Sequence, residues 1–308
     1  MGSLASAVNE NSIAITTSIT GSIGRTMSLS SSLPSGTPTA VGSTAAGIKK
    51  YINLQLQLPS TPSYIHFTNV PPAIVRRSSD HPIEIFGVKG ARICYGESLR
   101  DLIIKLVQKP HEVAHCAFTK ELLDQTFSMH LKRELRLTGA ARATSGDISK
   151  EPDASFEPRR PPPGRSEEWP AVVIESGYSE STAHLRAMAD LWISKSGGDV
   201  KVAIIISIER QRGKIIVEKW IPNATPRGNG PFLRNRGQHA RCEKEVIITR
   251  NDNGSAAVSG APLVIRFEEM FLRAPNPPHE KDYVLSRGDF ESIAQDIWEV
   301  MGWAAPAH

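Results

Sequence analysis

Two nearly continuous apolar runs, AVVI at 171–174 and VAIIISI at 202–208, enclose an amphipathic stretch long enough for one helix. Runs this apolar fit strands covered on both faces, because a half-exposed strand would alternate with polar residues. Between them, Leu185, Met188, Ala189, Trp192 and Ile193 recur at helical spacing and form one buried face. Strand, helix and strand in that order predict a βαβ crossover, hence two parallel strands in a mixed sheet covered by helices.

The flanking segments extend the same pattern. ASFEP, KIIVEKWI, EVIIT and PLVIRF read as further strands, and DFESIAQDIWEVMGW reads as a last amphipathic helix. Toward the N-terminus, YINLQLQL alternates and predicts a strand, as does ARICY. LRDLIIKLVQ predicts a helix capped by Ser98 and stopped by Pro110, and a second helix is expected from Thr119 to about Gly139. The fold class expected is α/β (α+β), a mixed sheet flanked by helices. Serine and threonine supply 18 of the first 48 residues, and Glu10 and Arg25 are the only charges there. Such a segment lacks the apolar surface to offset ordering entropy, so residues 1–48 are expected to be a disordered tail. The expected divisions after it are 49–110, an N-terminal β/α extension, then 111–222, the core, then 223–308, a basic loop with C-terminal strands and a helix.

Composition narrows the setting. No apolar run approaches a membrane span, and no basic stretch precedes an apolar block, so neither a membrane partner nor a secretory signal is expected. Cys94, Cys116 and Cys242 lie far apart, which predicts reduced thiols and an intracellular setting, cytoplasmic or nuclear. The formal net charge of the 308 residues is only +4, so any affinity for a polyanion must come from local clustering. Such a cluster is present at 227–244, where Arg227, Arg234, Arg236 and Arg241 lie among glycines with a single acid, Glu243. That loop is a candidate for nucleic-acid phosphate contacts.

Two constellations carry chemistry. His111, Glu112 and His115 match the HExxH pattern of a zinc peptidase, yet Pro110 and the expected helix start at Thr119 leave them in a loop rather than on a rigid helix. Asp153 opens one strand and Glu175 closes the next. If those strands form a hairpin, the carboxylates converge, repel and call for a cation between them, with one pKa raised in its absence. Hard oxygen ligands suit Mg²⁺ or Mn²⁺.

The PD at 152–153, the VVIES ending in Glu175, the helix after it and the strand VKVAIIISI resemble the PD-(D/E)XK superfamily of restriction-endonuclease-like nucleases. The segment 169–208 is most similar to its Uma2-like branch and to fungal proteins of that type. The resemblance spans roughly residues 115–221. It implies a helix-strand-strand-strand-helix-strand core, with one strand near 136–142. It also implies a Mg²⁺- or Mn²⁺-dependent nuclease with Asp153 and Glu175 as metal ligands and catalytic acids. The family lysine falls on Gly177, so Arg186 or Lys201 is expected to supply the basic group, and Glu134 matches an auxiliary acid. The alternatives are a non-catalytic nucleic-acid or protein-interaction module on the same fold and, second, a zinc metallopeptidase through HEVAH.

Overall fold

The computed structural model describes residues 29–80, 85–88, 91–139, 141–145, 147–178, 182–223 and 239–303. In chain order the elements are β1 (Thr39–Val41), α1 (Ala45–Leu56), β2 (Tyr64–Thr68), α2 (Pro72–Asp80), β3 (Arg92–Gly96) and β4 (Asp101–Lys105). Then come α3 (Lys109–Ser128), β5 (Leu135–Leu137), β6 (Ala143–Ser145), β7 (Ile148–Lys150), β8 (Ala154–Pro158), β9 (Val172–Tyr178) and α4 (Thr182–Lys195). The last are β10 (Val202–Glu209), β11 (Lys214–Pro222), β12 (Ala240–Arg250), β13 (Ala256–Ser259), β14 (Leu263–Ile265), α5 (Phe267–Phe271), β15 (Tyr283–Leu285) and α6 (Arg287–Val300).

The strands make a seven-stranded sheet, β13-β12-β11-β10-β9-β8-β5, a six-stranded sheet, β1-β2-β4-β3-β7-β6, and the small pair β14-β15. In the larger sheet β9 and β10 run parallel and are joined by α4, as the apolar runs predict. β8 pairs antiparallel to β9, and β5 antiparallel to β8. With β6 and β7 diverted into the six-stranded sheet, α3-β5-β8-β9-α4-β10 follows the helix-strand-strand-strand-helix-strand order expected of a restriction-endonuclease-like core, a mixed sheet flanked by helices. Alternation along β9 sends Val172 and Ile174 into the core under α3 and α6, and Val173 into the core under α4. Glu175 therefore falls on the α4 face and Ser176 on the α3 face. Trp192, 1 % exposed, anchors α4 to that face. Burial of a side chain of that size contributes about 3 kcal/mol.

Three expectations change. YINLQLQL is helical: Thr44 caps α1 by accepting the Gly47 N–H at 3.1 Å, and Ile48 and Ile52, four residues apart, form its buried face. The alternation was misleading because Leu54 and Leu56 are exposed. LRDLIIKLVQ is a strand, not a helix. β4 lies inside the six-stranded sheet, so Leu102, Ile103 and Ile104 are all buried and show no period. Finally, α3 runs unbroken through Thr119. Pro110 occupies its first turn, where a missing N–H costs nothing.

The expected divisions at 48 and 110 fall inside helices, and the one at 222 divides a single sheet. Residue 48 lies inside α1, and β1 precedes it, so the folded body begins earlier than residue 49. β6 and β7 join the N-terminal sheet, while β12 and β13 extend the core sheet beyond 222. Residues 1–28, the rest of the expected tail, lie outside the described residues. No helix among the described residues is long and apolar enough to cross a membrane.

Candidate functional site: a buried acid–lysine cluster

Asp153 lies just before β8, where its N–H donates to the Ile174 carbonyl at 3.2 Å and holds it beside the end of β9. Asp153 and Glu175 are 3 % and 2 % exposed. β8 and β9 pair antiparallel, as the expected hairpin requires, and both carboxylates face one lysine, Lys105.

Asp153 Oδ2 accepts the Ser176 N–H at 2.7 Å, the Ser176 hydroxyl at 3.1 Å and the Lys105 ammonium at 2.8 Å, and lies 2.8 Å from His111 Nε2. Its other oxygen, Oδ1, is buried without a hydrogen bond, 3.9 Å from Arg92 Nε. Glu175 Oε1 accepts from Lys150 and from Trp192 Nε1–H, the latter at 2.6 Å, and Oε2 stands 3.7 Å from Lys105 Nζ. Lys105 also donates to the Ser176 carbonyl at 2.5 Å. Lys150 Nζ lies 5.1 Å over the Trp192 ring. Both lysines end strands of the six-stranded sheet, so the cluster joins the two sheets.

The charges explain the missing repulsion. Burial alone would raise the Asp153 carboxyl, but His111 and Lys105 outweigh it and hold it well below the usual carboxylate range. The expectation of a raised pKa is therefore corrected. His111 is itself pushed down by burial, against the pull of Asp153. Lys105, 2.8 Å from Asp153 Oδ2, supplies a compensating charge. His184, buried beside both lysines, is pushed down to about 3 by burial and then by their charges. Tyr64, Cys94, Met188, His184, Glu175 and both lysines line a cavity of about 20 Å³, room for one water.

The basic groups expected from the sequence lie elsewhere. Arg186 Nε donates to both oxygens of Glu218, at 3.0 and 3.1 Å, and the guanidinium lies 3.6 Å from Glu245. It does not pair with Asp190, whose Oδ1 accepts the Ala240 N–H at 2.8 Å. Glu218 and Glu175 both align with Ile205, so Glu218 is two strands over, about 10 Å away. Lys201 precedes β10 and donates to the Gly198 carbonyl at 2.5 Å. Four residues separate it from Ile205, roughly 13 Å of strand. Glu134 lies in the turn after α3, not on the helix. Arg241 is exposed on β12, 3.7 Å from Glu243, while Arg227, Arg234 and Arg236 lie outside the described residues.

Lys105, Lys150, His111 and Trp192 were missed as site residues. Lys150 stands three residues before Asp153, and that proximity was the one available signal. His111 and His115 do share a helix face, with ring centroids 5.6 Å apart, but His111 is turned to Asp153. Glu112 Oε1 lies 3.4 Å from His115 Nε2 instead of standing free to activate water, and nothing supports a peptidase.

No family model and no curated protein matches the chain. A solved structure from Anabaena variabilis ATCC 29413, described as a nuclease candidate belonging to DUF820, aligns at TM-score 0.35 and 16% identity, over 66% of this chain and 90% of that one. So slight a likeness carries no argument. Element order and sheet order define the class instead: an α/β protein whose mixed sheet is flanked by helices, with a buried acid–lysine cluster where its two larger sheets meet.

Proposed function

We propose that the chain is a Mg²⁺- or Mn²⁺-dependent phosphodiesterase acting on nucleic acid, with Lys105 and Lys150 in the role that Gly177 leaves vacant. The observation that carries this reading is Lys105 Nζ, 2.8 Å from Asp153 and 3.7 Å from Glu175. Two acids and a lysine are thereby assembled in space although the sequence separates them. Asp153 and Glu175 would hold the ion, and Asp153 Oδ1, buried without a hydrogen bond and 3.9 Å from Arg92 Nε, fits such a ligand. A bound ion supplies an activated water and charge stabilisation at phosphorus.

The protein groups have separate tasks. Ser176, through its N–H and hydroxyl, fixes the Asp153 carboxylate. Trp192 orients Glu175. Lys105, 2.8 Å from Asp153, would offer its ammonium to a phosphate oxygen if the acids held an ion. Lysine suits this task because it is a compact point charge on a flexible stem. Arg227, Arg234, Arg236 and Arg241 would hold the flanking phosphates by charge alone.

One observation favours a second reading, a non-catalytic nucleic-acid or protein-interaction module. Asp153 and Glu175 are enclosed and already balanced by two lysines, so an ion gains less there than at a bare acid pair. Labelled DNA and RNA, single- and double-stranded, incubated with Mn²⁺ separate the two. Cleavage that Glu175→Gln abolishes supports the enzyme. Binding without cleavage supports the module.

A further inference from the structure

The face of α3 that the acid–lysine cluster does not use carries its own set of donors. Glu112, His115 and Cys116 stand at positions i, i+3 and i+4, which places them side by side on one helix face. A ligand atom from each lies within 4.8 Å of the other two. His115 is 6 % exposed, and its Nε2 is buried with no hydrogen-bond partner. Glu112 Oε1, 3.4 Å from it, is likewise buried without a hydrogen bond. On the other side of the ring, Cys116 Sγ lies 3.8 Å from His115 Nδ1. Glu112 Oε1 also faces Arg92 Nη2 at 3.5 Å and His111 Nδ1 at 3.8 Å, so these donors are held by ion pairs longer than hydrogen bonds.

We propose that Glu112, His115 and Cys116 form a Zn²⁺ site separate from the acid pair. The donor set selects the metal: one imidazole, one thiolate and one carboxylate suit Zn²⁺, whereas Mg²⁺ and Mn²⁺ prefer oxygen alone. The charges close. Zn²⁺ meets one carboxylate and one thiolate, and the Cys116 thiol releases its proton to solvent as its sulfur–metal bond forms. Arg92 Nη2, 3.5 Å from Glu112 Oε1, is the cation that faces this carboxylate now. Cys116 is exposed, so the ion enters from solvent and keeps an open position there. His111 is not a ligand, because its Nε2 serves Asp153, and this separates the site from the HExxH arrangement of a peptidase. The site stands whether or not the acid pair cuts nucleic acid.

Titration of the full chain with Co²⁺, a spectroscopic stand-in for Zn²⁺, tests it. A thiolate-to-cobalt charge-transfer band should rise to one equivalent and be displaced by Zn²⁺. Cys116→Ser should remove the band, while Cys242→Ser and Glu175→Gln should keep it. In unaltered protein, Zn²⁺ should also slow iodoacetamide labelling of Cys116 at least tenfold, read by peptide mass, and this holds even if a variant folds poorly. A wild type with no band, a band that survives Cys116→Ser, or labelling that ignores Zn²⁺ overturns the proposal.

Discussion

Lys105 Nζ and Asp153 Oδ2 stand 2.8 Å apart across the junction of the two sheets, with side chains 8 % and 0 % exposed. The bond ties the end of β4 to the start of β8 and places a cation where two acids would otherwise repel. Removing one partner of such a pair leaves an uncompensated buried charge. Lys105→Met should therefore cost about 3–5 kcal/mol in urea unfolding. Mn²⁺ should return part of that loss, because the ion replaces the ammonium, and the ion-dependent rise in Tm should exceed that of wild type.

Glu175→Gln removes a charge but keeps the shape. Simple repulsion between the acids would make this change stabilising. The structure reverses the sign, because Lys150 loses its carboxylate while remaining 8 % exposed. The variant should unfold at lower denaturant, by about 3 kcal/mol, with the slope unchanged. Equal or greater stability would show that Lys150 is not held by Glu175.

Stability should decline as pH falls below about 6.5, the unperturbed histidine value. His111 and His184 are both held below that value in the folded chain, so the unfolded chain binds protons that the folded one refuses. The His184 contribution is complete above about 6.5 and gone once pH reaches its folded value of about 3. Asp153, also depressed, adds a further loss below about 3.9, the unfolded aspartate value. Urea midpoints measured from pH 7 to pH 4 should trace this fall, and His184→Gln should flatten it.

The part of the fold legible in the sequence is the part with unambiguous period. Residues 171–208 gave strand, helix and strand, and Asp153 beside Glu175 followed from the hairpin. Leu102, Ile103 and Ile104 misled because a strand buried on both faces has no alternation to distinguish it from a helix. α1 misled for the opposite reason, since exposed Leu54 and Leu56 imitate alternation. Lys105 was illegible as a site residue. It lies 48 residues before Asp153, and only pairing within the six-stranded sheet directs it at the acids. Gly177 marked the missing lysine correctly, yet nothing local named its replacement.

Arg186 offers a control. Its partner Glu218 is 1 % exposed, so Arg186→Ala should cost about 1–3 kcal/mol by leaving that carboxylate without its cation, held by Trp220 Nε1–H. Any Mn²⁺-dependent cleavage should be unchanged below the shifted Tm. A selective loss of cleavage at constant fold would return Arg186 to the catalytic group.

Calorimetric titration of Mn²⁺ into the full chain, beside Asp153→Asn, tests the central claim that the acid pair is a metal site. The account predicts one saturable site in wild type, absent in Asp153→Asn, a substitution that removes the charge of the proposed ligand. Wild-type heats no larger than dilution, or heats that Asp153→Asn leaves intact, would contradict it and leave the acid–lysine cluster as a junction between two sheets.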